Sequence, residues 1–118
     1  MKIIYDKEFM LGYIIGMRYG DGSIYNDNGR KFRVQVIDKE IVDYLKICFK
    51  ELFDRDIKIS QDYRLTKSNN MVWNFTTYIK KIEKYFDIKN IKTDGHKQGF
   101  VSAFFDAEGS ADGSTDHR

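Results

Sequence analysis

Two stretches of the chain are apolar around most of a helical turn, and both carry small residues at every fourth position. In Phe9 to Ile24, FMLGYIIGMRYGDGSI, the small positions are Gly12, Gly16 and Gly20, beside an apolar ridge of Phe9, Tyr13 and Met17 filled out by Met10, Ile14 and Ile15. In Gln98 to Ser110, QGFVSAFFDAEGS, they are Gly99, Ala103 and Ala107. Residues at i, i+4 and i+8 share one helix face, and a helix that is apolar nearly all round belongs inside a fold. Each glycine within a helix costs about 0.8 to 1 kcal/mol relative to alanine, so three on one face predict a structural return in the close approach of two backbones. The two ridges are natural partners, and these six residues form the predicted helix–helix interface.

Between the ridges the period changes. Asp6 or Lys7 opens the first helix, which runs to about Gly20. Ser23 to Tyr25 reads as a short strand, Asn26-Asp27-Asn28-Gly29 as a turn and Lys31 to Ile37 as the returning strand, in which Phe32, Val34 and Val36 alternate with Lys31, Arg33 and Gln35. Asp38 is the expected N-cap of an amphipathic helix from Lys39 to Phe53, with Ile41, Val42, Leu45, Cys48, Phe49 and Leu52 inward. Ile57 to Leu65 and Met71 to Thr77 alternate again, flanking a turn at Lys67 to Asn70. A short helix over Tyr78 to Phe86 and a polar connection over Ile88 to Lys97, with Asp94-Gly95 as a turn, complete the expectation. The predicted class is α+β, in the order α-ββ-α-ββ-α around an antiparallel four-stranded sheet, followed by the start of a repeat.

Directly after each ridge stands an acid followed by glycine, Asp21-Gly22 and Glu108-Gly109. A carboxylate near a helix C-terminus meets the negative pole of the helix dipole, and two such ends brought together repel each other. A divalent cation relieves both. Oxygen donors of this kind suit Mg²⁺, which takes one or two carboxylates and leaves its remaining positions to water and phosphate. The chemistry implied is metal-assisted phosphodiester hydrolysis; the plainer reading is that each acid ends its helix in a turn with the following glycine.

Ile14 to Gly22, IIGMRYGDG, and Val101 to Gly109, VSAFFDAEG, align without gaps and resemble the nine-residue motif of the LAGLIDADG homing endonucleases. The second copy matches in Asp106, Ala107, Glu108 and Gly109. The first departs where Tyr19 replaces the usual acid and Gly20 the usual alanine. The resemblance implies a homing-endonuclease half-domain over residues 1–97, with its motif helix at 7–21 and a DNA-facing sheet at 22–77. Residues 98–118 would then be the second motif helix and the first strand and turn of a second half-domain, cut short at Arg118. It also implies that Asp21 and Glu108 are catalytic metal ligands for Mg²⁺ or another divalent cation. Lys39 would stabilise charge around the scissile phosphate or its attacking water; as a residue read by itself, it is equally a surface lysine at a helix start.

The polar sides of the strands offer Tyr25, Arg30, Arg33, Gln35, Lys58, Ser60, Arg64, Asn74 and Thr76 as DNA-binding candidates. Such a face is either an ordinary solvated surface or one on which cations fix phosphates while Arg, Asn and Gln read base edges. The net charge of +2 hides an asymmetry, since Asp106, Glu108, Asp112 and Asp116 crowd the C-terminal end and leave the body more basic. That excess permits nucleic-acid binding.

With 42% hydrophobic and 15% aromatic residues, the chain is not disordered by composition. The lone Cys48 excludes an intrachain disulfide and a cysteine zinc cluster, and reads as a small core residue. His96 and His117 are too isolated for a histidine-metal motif and read as solvated. Lys80, Lys81 and Lys84 read first as a solvated face and second as a phosphate-contacting flank. No glycine-rich loop ending in Gly-Lys-Ser/Thr is present, so a nucleotide cofactor has no support. No apolar run approaches a membrane span of ~20 residues, and an intracellular setting, cytoplasmic or organellar, is expected.

The functional expectation is a site-specific double-strand DNA endonuclease of an intron or intein, or a piece of one, needing a second chain or a missing C-terminal half for the other half-site. Weak or absent double-strand cleavage by the 118 residues alone is expected. The alternative is a non-cleaving nucleic-acid-binding module, either a DNA-binding regulator or an RNA-binding intron maturase.

Overall fold

A computed structural model describes residues 3–63 and 71–112. Its elements are a helix Lys7–Tyr19 (α1), strands Gly22–Asn26 (β1) and Arg30–Val36 (β2), a helix Lys39–Phe53 (α2), strands Ile59–Tyr63 (β3) and Met71–Tyr78 (β4), and a helix Asp94–Asp112 (α3). The class is α+β, with one antiparallel sheet in the order β1-β2-β4-β3. The helix starts follow from local chemistry. The Asp6 side chain accepts from the backbone N–H of Glu8 and Phe9, and that of Asp38 from the N–H of Glu40, filling donors that a first turn leaves open. The β1–β2 hairpin turns through Asn28 and Gly29, both at positive φ (57° and 129°), a region that asparagine and glycine tolerate best.

Helices α1 and α2 cover one face of the sheet. Phe32, Val34, Val36 and Phe75 point from the strands into this layer and meet Met10, Ile14 and Met17 of α1 and Ile41, Leu45, Cys48 and Phe49 of α2. The rings of Phe32, Phe49, Phe75 and Phe86 lie 5.0 to 6.3 Å apart, mostly edge-on or tilted. Cys48 is fully buried, and burial pushes its thiol pKa up, as expected of a structural cysteine.

Four expectations are corrected. No α-helix forms over 78–86: β4 continues to Tyr78, whose partner is Lys31 on β2, and the chain then folds into short 3-10 turns at Glu83–Phe86 and Ile88–Asn90. Asp94-Gly95 is not a turn, because α3 begins there. Thr93 Oγ1 accepts from His96 N–H at 3.1 Å, while His96 Nδ1 accepts from Thr93 N–H at 3.3 Å and Lys92 N–H at 3.2 Å. This is a reciprocal cap with histidine where glutamate usually stands, so His96 is a half-buried capping residue and not a solvated one. Lastly, residues 110–112 extend α3 and do not start a strand. The turn at Lys67 to Asn70, Arg64 and His117 lie outside the described residues.

Candidate functional site

Small residues dictate how α1 and α3 meet. A methyl group built on Gly12 would stand 2.0 Å from the carbonyl oxygen of His96, and one on Gly99 would stand 2.0 Å from that of Phe9. One on Gly16 would meet Phe100 O at 2.6 Å and Ala103 Cβ at 2.7 Å. Backbone therefore lies on backbone, and no side chain fits between. The contacts climb together, Phe9 with Gly99, Gly16 with Ala103 and Gly20 with Ala107, so the helices run parallel and their C-terminal ends share one end of the pair. The six predicted interface residues all lie along this seam.

Gly20 caps α1, its N–H donating to Gly16 O at 2.9 Å and Met17 O at 3.2 Å. Asp21 follows outside the helix and leads into β1. A methyl group on Gly20 would sit 3.4 Å from Ala107 Cβ, so the residues directly preceding Asp21 and Glu108 touch. Asp21 is exposed to water on one side, yet burial against its neighbours raises its carboxyl pKa. The two acids do not both stand beyond helix ends, however. Nothing in Gly109-Ser110-Ala111 stops the helix, and α3 runs to Asp112, which places Glu108 inside it. The Glu108 side chain lies outside the described residues. Among the described residues no group of three or more His, Cys, Asp or Glu side chains converges as a metal cage.

Deeper in the seam, Tyr13 Oη donates to Asp106 Oδ2 at 2.5 Å. Burial first, then the hydrogen bond and charge of Asp106, raise the Tyr13 hydroxyl pKa. Burial, with the neighbouring charges of Asp38 and Glu40, lifts the Asp106 carboxyl despite the bond donated to it. The sequence pattern marked Asp106 only as a motif match.

The strand register sorts the DNA-binding candidates. Directly opposed residues share a sheet face. On the face away from α1 and α2, Ser23, Arg33 and Thr76 form one row, and Gln35, Asn74 and Ser60 another. Tyr25, Lys31 and Tyr78 form a third row near the hairpin end. Lys58, exposed just before β3, has the parity of Ser60. Asn74 is the least accessible of the described members of the set, at 6% exposure. Arg30 is a correction. It has the parity of Phe32 and Val34, points to the helix side, and is gripped by Glu83 through Nε and Nη2 at 3.0 to 3.1 Å. Lys31 and Tyr78 are the members that pattern reading passed over. Lys31 Nζ sits 5.0 Å from the Tyr78 ring centroid, a cross-strand juxtaposition invisible before the β2–β4 register is known.

Lys39 is engaged with its own helix and with β4. Its Nζ lies 3.0 Å from Asp43 and 5.4 Å from the Trp73 ring centroid. Arg18, at the end of α1, donates to Phe86 O at 3.0 Å and lines an open cleft of about 390 Å³ with Glu83, Lys84, Asp87 and Lys89. No described helix is long and apolar enough to cross a membrane.

No protein-family model matches the chain. It is similar, at 27% identity over 106 residues, to a protein of Methanocaldococcus jannaschii described only as uncharacterized. The match takes in 84% of this chain and 38% of that protein, so the chain spans well under half the length of this relative.

Proposed function

We propose that the chain is a half-domain of the LAGLIDADG type that binds double-stranded DNA on its outer sheet face and hydrolyses a phosphodiester bond with a divalent metal ion, Mg²⁺ being the natural choice. The observation that carries this reading is the parallel, backbone-tight α1–α3 seam, which brings the positions of Asp21 and Glu108 to one end of the pair. Asp21 fits a cation site: it is a hard oxygen donor beside a helix C-terminus, and partial burial raises its carboxyl pKa, a cost that a bound cation would offset. A bound cation would stabilise charge on the phosphate and acidify a water molecule. The chain's own part is to hold Asp21 at the seam and to orient the sheet.

The outer face suits the remaining task. Side chains of one face recur every ~6.8 Å along a strand, close to two base-pair steps. Arg33 and Gln35 are donors able to reach base edges, and Lys31 a phosphate neutraliser. On α3, Val101 and Phe105 are 50% and 70% exposed. The aligned positions of α1 are Ile14, buried in the core, and Arg18. A second α/β layer, from another chain or from further sequence, would cover this apolar face and bring the second half-site.

A non-cleaving binder is the second reading, favoured by the continuation of α3 through Glu108. Selection of bound duplexes from a randomised pool, followed by a nicking assay in Mg²⁺, separates the two. The nuclease reading expects Asp21→Asn to keep duplex affinity and lose scission. Equal scission by both proteins, or retention of RNA in preference to duplex DNA, refutes it.

A further inference from the structure

The small-residue seam holds the helices close but does not by itself say where along each other they stop. On α3 the ridge is longer than the one it faces: Gly95, Gly99, Ala103, Ala107 and Ala111 recur every fourth residue, against Gly12, Gly16 and Gly20 on α1. Sliding α3 by one turn either way still sets three small residues opposite the three glycines. Such a slip displaces the helix by about 5.4 Å and would part Asp21 from Glu108. Something other than the ridge must select the register.

Among the described residues, two side-chain hydrogen bonds tie α1 to the α3 segment. Thr93 Oγ1 donates to Glu8 Oε1 at 2.9 Å, in an exposed position. Tyr13 Oη donates to Asp106 Oδ2 at 2.5 Å, partly buried, and Tyr13 itself is 1% exposed. A hydrogen bond to a carboxylate is strong and directional, and sheltering it from water sharpens the difference between made and unmade. In either slipped register Tyr13 would face Ser102 or Ser110, neutral partners, and Asp106 would lose its donor. The motif repeat does not duplicate the pair. The positions aligned with Tyr13 and Asp106 are Phe100 and Tyr19, so the polar contact occurs once and breaks the near-symmetry of the seam.

We propose that the Tyr13–Asp106 hydrogen bond is the register pin of the α1–α3 pair, a positioning contact that selects one of three near-equivalent helix alignments and thereby sets the Asp21 and Glu108 positions opposite each other. The second half of this statement rests on the metal-site reading; the first does not.

The test is a distance measurement. In a Cys48→Ala background, nitroxide labels are placed at Lys7 and Phe105, and their separation is read by pulsed electron resonance without metal or DNA. The parent should show one narrow population. Tyr13→Phe, which keeps the ring and removes the hydroxyl, should add a population displaced by about 5 Å. Asp106→Asn, which retains a carbonyl acceptor for Tyr13, should keep most of the single population, and Thr93→Ala should leave it intact. A single unshifted population in Tyr13→Phe overturns the pin. Loss of folding in that variant also counts against it, since the contact would then carry the fold and not its alignment. Mn²⁺ titration, followed by its own resonance signal, reads the second half: Tyr13→Phe should weaken binding about tenfold. A clean register shift with no Mn²⁺ bound by any form would leave the pin standing and remove the metal site.

Discussion

The aromatic layer between α2 and the sheet and the glycine seam between α1 and α3 hold helices in opposite ways. In the first, large side chains interlock, and Phe32, Phe49, Phe75 and Phe86 exclude water over a wide contact. In the second there is almost no side chain to interlock. The stabilisation comes from dispersion between backbones at closest approach, with small residues that have little side-chain entropy to lose. Interlocking rings specify position through shape, whereas a periodic ridge specifies only a face and a distance. The layer therefore tolerates repacking but suffers from voids. The seam has no room for growth.

The largest effect expected is at the layer. Phe49→Ala leaves a cavity among the rings of Phe32, Phe53, Phe75 and Phe86 and should cost about 3 to 5 kcal/mol, read as a lower urea midpoint. A comparably small loss would mean that the layer is loosely packed. The seam should respond to a single added methyl. Gly12→Ala gains helix propensity, yet its Cβ would strike the His96 carbonyl, and a net loss of about 2 kcal/mol is expected by thermal unfolding. A stabilised variant would show that the backbones are not in contact.

The two faces of the sheet sharpen the contrast next. Arg33→Ala should lower duplex affinity by about 1 to 2 kcal/mol in a binding titration while leaving stability nearly unchanged. Arg30→Ala should do the reverse, lowering the unfolding midpoint slightly without affecting the duplex. If the two swapped behaviour, the assignment of faces would be wrong.

The smallest effect is at Asp21. Its folded-state pKa is raised, so its contribution to stability is present below the unfolded value near 3.8 and is lost as pH rises through the folded one. At neutral pH the charge is a local burden, screened by water on its exposed side, and Asp21→Asn should raise the urea midpoint slightly. That gain should vanish below about pH 4. Added Mg²⁺ should stabilise the parent and not the variant; equal responses would argue against Asp21 as a ligand.

Much of this arrangement is legible along the chain. The ridges of Gly12, Gly16, Gly20, Gly99, Ala103 and Ala107 imply a close helix pair because glycine in a helix is unfavourable unless something needs the space. The alternation in Phe32 to Val36 and the caps at Asp6 and Asp38 are local, and local chemistry is enough to place them. The start of α3 is also local but escapes notice, because a histidine fills the capping role. Tyr78 reads as helical until β2 pairs with it, and Arg30 reads as a surface reader until Glu83 comes up beside it.

The sequence by itself determined the α+β class, the hairpins and the requirement that two small-faced helices meet, since each follows from periodicity and backbone propensity within a few residues. Only the tertiary structure decided that those helices run parallel, that Asp21 and Glu108 come to one end, that Lys31 joins Tyr25 and Tyr78 in a row, and that Tyr13 meets Asp106. Direction, register and pairing between distant segments depend on which surfaces are buried together, and a four-residue repeat is compatible with more than one answer.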